Sequence, residues 1–304
     1  MSINAQTALG LFAEGYTMVK ARFQKVASLL TMAAAGMSGV ALLMLIDAGT
    51  AGISMVSAAD TVSGKDWTPP ENPDPQTILN EAKADAQAKR YEIALAKQVW
   101  FHENALSLNQ AMTGVRLSFA LANWESLGRV YPLALAKLQA IRDGLQERAL
   151  KGEDLMSAFA DLAAINRTLG EDFRTSEAFR ALDALNPKVA TMAIVYVKPA
   201  LVKSKDYDLY LKYTDVKRDY LRMRQHYERN ILMVEDKKIG PNLADFAKKS
   251  FRNGSATLVA ILAVSDRKQE ASDIASLAKK QLDDPEFHKE LDAALTGTVP
   301  KAFP

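Results

Sequence analysis

A pair of short amphipathic helices, repeated four times between residues 77 and 214, restricts the fold of this 304-residue chain more than any other feature. From Thr77 to Arg90, the apolar positions Ile78, Leu79, Ala82 and Ala86 fall on one helical face, and YEIALAKQVWFHENALSL follows after a short turn. The pattern returns as MTGVRLSFALANWESLG with YPLALAKLQAIRDGLQERAL, then as DLMSAFADLAAINRTLG with FRTSEAFRALDALNP, and last as VATMAIVYVKPALVKS with YDLYLKYT. An aromatic opens each second helix: Tyr91, Tyr131, Phe173 and Tyr207, at spacings of 40, 42 and 34. A two-helix unit of this size leaves one apolar face bare, and only the next unit can cover it. The expectation is an all-α chain built around a helix–turn–helix solenoid.

Composition agrees with a helical, folded chain. Hydrophobic residues make up 48% and charged residues 24%, which excludes wholesale disorder. Glycine is scarce (15) and long β-branched runs are few. Beyond the repeats, residues 215–304 should form a C-terminal helical region. In 216–235, Val216, Tyr220, Met223, Tyr227, Ile231 and Val234 make an apolar stripe. The other faces carry Lys217, Arg218, Arg222, Arg224 and Arg229 against Asp219 and Glu228, a basic amphipathic pattern that core helices and anion-binding helices share. Six of the nine tyrosines lie between Tyr196 and Tyr227. Further helices are expected near 241–264, 267–282 and 285–295.

The first 59 residues are of another kind. From Val26 to Ile46 run 21 residues without a charge, preceded by Lys20, Arg22 and Lys25. A bilayer core needs about 20 apolar residues, so residues 26–46 predict an apolar helix that targets or spans a membrane. Ser57-Ala58-Ala59 supplies small residues as a signal-peptidase site would, with Met18 as a second possible start. A cleaved signal and a retained anchor with the basic residues on the cytoplasmic side both fit. A buried Ala/Met-rich hairpin packed on the body is the third reading, and it would leave the protein cytoplasmic. Residues 60–76 follow as a linker, with Pro69, Pro70, Pro73 and Pro75 forming a stiff spacer. Asp74-Pro75 reads as a helix start.

Trp124-x2-Leu127-Gly128-x2-Tyr131 reproduces without a gap the opening W-x2-L-G-x2-Y of a known repeat. Asn166-x2-Leu169-Gly170 keeps the leucine–glycine pair, Phe179 and Pro187 match a closing aromatic and proline, and Tyr91-x2-Ala94 matches a tyrosine–alanine pair. On these residues the segment 77–214 resembles the tetratricopeptide repeat family. The resemblance implies a right-handed superhelix with a groove lined by the first helices. It also implies a protein–protein interaction scaffold whose partner is a protein or peptide. Departures are a period of 34 at one spacing alone and the missing Leu-Gly pair in units one and four. Gly128 and Gly170 are expected at helix–helix turns with positive φ. Trp124 could open a first helix or stand near its end. Arg116 and Asn123, seven residues apart and polar within an apolar stretch, are expected on one face of one first helix as candidate groove residues.

Reactive chemistry has little to draw on. The absence of cysteine removes thiolate nucleophiles, disulfides and thiolate metal sites. The three histidines, His102, His226 and His288, stand far apart, and none has a second ligand at metal spacing. No phosphate loop, dinucleotide fingerprint or nucleophile elbow occurs. A net charge of +2 offers no footprint for nucleic acid. The expectation is a non-catalytic protein without cofactor or metal, exported or membrane-anchored. The competing expectation is an enzyme or ligand-binding protein with a pocket formed by the C-terminal helices.

Overall fold

Asp74 and Pro75 begin the first helix as their chemistry requires. The Asp74 carboxylate accepts from the Thr77 amide (2.7 Å), and Pro75 occupies the first helical position, where no amide is needed. The computed structural model describes residues 67–235 and 242–301, all within one unit, Val56–Pro304. The expected apolar helix at 26–46, the segment 1–59 and most of the linker lie outside the described residues.

Thirteen α-helices follow among the described residues, with no strand. They are α1 (Pro75–Gln87), α2 (Tyr91–Leu108), α3 (Thr113–Arg116), α4 (Phe119–Val130), α5 (Pro132–Lys151), α6 (Leu155–Thr168) and α7 (Asp172–Leu185). The rest are α8 (Pro187–Lys203), α9 (Tyr207–Lys212), α10 (Val216–Glu235), α11 (Asn242–Val264), α12 (Lys268–Gln281) and α13 (Pro285–Leu295). The expected all-α class holds, and the C-terminal helices fall where the sequence placed them.

Each helix packs on its successor from α1 to α9 and again from α10 to α13, and the first helices also pack on one another: α1 on α4, α4 on α6, and α6 on α8. Small residues allow this closeness, with Ala94, Ala134, Ala158, Ala190 and Ala193 almost wholly buried. At the C-terminal end α11 packs against α10, α12 and α13 at once, and its Val259, Ala260, Ile261 and Leu262 are fully buried. One continuous apolar core runs from Ala94 to Ala294, with a smaller one around Leu79 and Phe101. Phe179 is sealed between Phe159 and Tyr213, and Pro187 opens α8. Trp67, the first described residue, rests edge-on against Trp100 with the Lys97 ammonium over its ring, so the end of the linker packs on α2.

The turns show why two similar motifs fold differently. After α6, Gly170 takes φ +72, the Gly170 amide reaches the Arg167 carbonyl and the Glu171 amide reaches Asn166 (2.7 Å). This is the paired bonding that closes a helix through a left-handed residue. The same pair of bonds closes α1 at Lys89 (φ 61) and α8 at Lys205 (φ 57). Gly128 departs from the expectation. It is helical, buried inside α4, and does not have positive φ. The cause is Pro132, which forces its predecessor Tyr131 into an extended conformation (φ −134, ψ 92), so α4 runs on to Val130 and the connection shrinks to one residue. What Gly128 supplies is close approach: a Cβ there would stand 2.9 Å from the Leu135 Cβ and 3.2 Å from its backbone. Trp124 lies in the middle of α4, at neither end, and its indole N–H donates to the Ala134 carbonyl (2.9 Å) across the same contact.

The opening aromatics also divide. Tyr91 and Tyr131 stack at 5.8 Å, joining the starts of α2 and α5, whereas Phe173 is 54% exposed. Gly128→Val should destabilise the fold by about 1–3 kcal/mol through overpacking between α4 and α5. Lys89→Gly should stabilise it by up to about 1 kcal/mol by relieving a left-handed residue. Urea unfolding of both variants checks this pair. Equal stability of Gly128→Val and the parent would contradict the close approach.

Candidate functional site

Arg116 and Asn123 do not share a helix face. The chain breaks at Leu117 and Ser118 (φ −138, ψ −88), which puts Arg116 at the end of α3 and Asn123 in α4. Arg116 is buried: its Nε donates to the His102 carbonyl (2.7 Å), and its guanidinium grips the Asp161 carboxylate from α6 through two bonds, one of 2.9 Å and one through Nη1. Its Nη2 also lies 3.1 Å from the His102 Nε2. Guanidinium only donates, so that ring nitrogen must accept and His102 is neutral. Burial, helped by the nearby Arg116 charge, holds the His102 pKa down to about 4. The imidazole stands edge-on to Trp124 at 5.9 Å.

With every face of its guanidinium engaged, Arg116 joins α2, α3 and α6 and presents no charge to a groove. Sequence reading missed its partners. Their signal was a lone acid in LMSAFADLAAIN and a lone base in TGVRLSFA, each isolated in an apolar helix and so in need of the other. Asn123 is half-buried on α4, among solvent-facing Phe119, Ala122 and Ser126.

The first helices α6 and α8 leave apolar side chains at solvent-facing positions. On α6 the outward positions Met156, Ala160 and Ala163 recur at helical spacing and end at Arg167. On α8 they are Lys188, Met192, Val195 and Pro199, with Met192 56% and Val195 52% exposed. The first turns of the two helices lie side by side and open a shallow cavity of about 460 Å³, lined by Leu155, Met156, Ser157, Val189 and Met192. Gly152 (φ +77) and Asp154 (φ 44) shape its rim by turning the chain sharply from α5 into α6. Phe119, 72% exposed at the start of α4, extends the apolar character of the first helices.

Among the described residues no cluster of acidic and histidine side chains could hold a metal ion, and no helix is long and apolar enough to cross a membrane. No family model, curated protein or solved structure matches the chain.

The neutral His102 makes stability depend on pH. Its folded pKa lies below the ordinary 6.5, so under pH 6.5 the unfolded chain takes up a proton that the folded chain refuses. This contribution is complete above pH 6.5 and declines as pH falls toward 4, by roughly 2–3 kcal/mol between pH 7 and 4.5 at about 1.4 kcal/mol per pKa unit. His102→Gln keeps an acceptor for Arg116 without the titration. Its urea midpoint should fall less than the parent's over that range, and an equal fall would contradict the assignment.

Proposed function

We propose that the chain is a non-catalytic interaction scaffold of tetratricopeptide type, in which the four hairpins of residues 77–214 form a superhelical stack and the first-helix face receives a protein or peptide. The observation that carries this reading is the cavity between the starts of α6 and α8, with Met156 and Met192 exposed at its walls. A folded chain gains by burying such side chains, and leaving several of them in one row is costly unless a partner covers them. Methionine is unbranched and polarizable, so it repacks around apolar side chains of varied shape. The expected ligand is therefore a segment that offers Leu-, Met- or aromatic-type anchors at helical or extended spacing. The alternation of helix contacts, next neighbour plus first helix on first helix, supports the repeat reading, as do Gly170, Phe179 and Pro187 at their family positions. In this reading residues 26–46 hold the scaffold at a membrane or direct its export.

The test is a paired charge substitution, Met156→Asp with Met192→Asp. Both side chains are exposed, so the melting temperature should stay within a few degrees of the parent. A protein recovered from the native membrane fraction by the parent should be lost from the variant by tenfold or more. Recovery of the same protein by both would remove the α6–α8 face as the binding site.

A further inference from the structure

On α10 the charge distribution differs from that of the rest of the chain. Its exposed positions include four cations, Lys217, Arg218, Arg222 and Arg229, against one acid with a partly exposed side chain, Glu228. From Arg218 to Arg229 the cations span about 17 Å along the helix at 1.5 Å per residue. Asp219 is turned inward and taken by Lys198 and Arg222, while Glu228, its side chain 44% exposed, pairs with Arg224. Asp215, just before the helix, caps it by accepting from the Arg218 amide (3.0 Å), and Lys217 feels Glu270 of α12. Two leucines interrupt this basic face, Leu221 at 42% and Leu232 at 58% exposure. Alongside, α11 adds exposed Lys248 and Lys249, with Asp245 as its exposed acid.

A crevice of about 320 Å³ runs between α10 and α11. Arg222, His226, Asn230 and Ser250 bring polar groups to it, and Phe246, half-exposed, stands at its edge. His226 and Asn230, one turn apart, are within hydrogen-bond distance of each other (3.2 Å).

The geometry points to α10 and the start of α11 as a docking surface for an anionic phospholipid membrane, with lipid phosphate in the α10–α11 crevice. Guanidinium, amide and hydroxyl donors together suit a phosphate oxygen set. The interleaved leucines decide between anionic partners. Against a nucleic acid, aliphatic side chains stay in water and gain little, since strands are held there by stacking on aromatic rings. Against a bilayer, Leu221, Leu232 and Phe246 enter the headgroup–acyl boundary while the cations remain among the phosphates. An acidic protein would meet the cations equally well but gives no reason for exposed leucines among them. The surface is independent of the α6–α8 cavity and of any anchoring by residues 26–46.

The chain contains no cysteine, so Leu232→Cys in the full-length protein accepts a single environment-sensitive nitrobenzoxadiazole label. Its emission should shift to the blue with phosphatidylcholine vesicles containing one-third phosphatidylglycerol. It should stay unchanged with pure phosphatidylcholine, which controls for insertion of the N-terminal segment, and at a label placed by Phe173→Cys. High salt should reverse the shift. Each interfacial cation contributes about fivefold in partition, so Arg222→Glu with Arg229→Glu should weaken it by roughly 25-fold or more. Arg222→Gln with Arg229→Gln serves as a milder pair if the first disturbs the fold, with about 25-fold expected. No shift on anionic vesicles, an equal shift on neutral ones, or an equal shift at position 173 would overturn the proposal. So would displacement of the vesicles by a DNA duplex at lower concentration, which would make the face a nucleic-acid site.

Discussion

The apolar stripe on each helix is wider than its hairpin partner can cover. That single constraint organises the described chain. Ala94 and Leu95 of α2, Leu121 and Trp124 of α4, Phe159 and Ile165 of α6 and Val197 of α8 are all buried in a core that continues into α11. Alanine is the residue that makes this geometry possible, since its small side chain lets neighbouring helices approach closely. Stability is therefore shared along the chain: a hairpin removed from the middle would strip cover from both sides.

Charged groups reinforce the borders between hairpins. Asp172 of α7 meets Lys203 of α8, Arg180 meets Asp206, and Lys212 with Tyr213 reaches back to Asp183. Their basic partners face solvent, which screens the attraction and keeps each contribution small. The Arg116–Asp161 pair is different because both partners are buried, and loss of either would strand a charge at a cost of about 3–5 kcal/mol. It joins helices 45 residues apart in sequence and leaves the neutral His102 beside it, so the most polar interior point also ties α2, α3 and α6 into one arrangement.

Sequence periodicity located nearly every helix, because apolar spacing and caps are local properties. Asp74, Pro75, Gly170 and Asp284 each act at the position where they stand. The failures came from interactions that spacing does not encode. Gly128 looked like a turn glycine because its motif matches that of Gly170, but Pro132 moved the helix end beyond it. Arg116 looked like a groove residue because its helix appeared continuous, but the break at Ser118 turned it into the interior and toward Asp161. The α6–α8 cavity was not legible at all. Met156 and Met192 fit the apolar pattern of their helices, and only the packed structure reveals that both point to solvent.

The outward row of α6 and α8 is the surface we propose that a partner covers. Site-specific photo-crosslinking in cells measures this most directly, with a benzophenone side chain placed at Met192 on α8 or at Glu177 on the exposed side of α7. A discrete protein adduct at position 192 and none at position 177 is the predicted result. Adducts at 177 with none at 192 would contradict it.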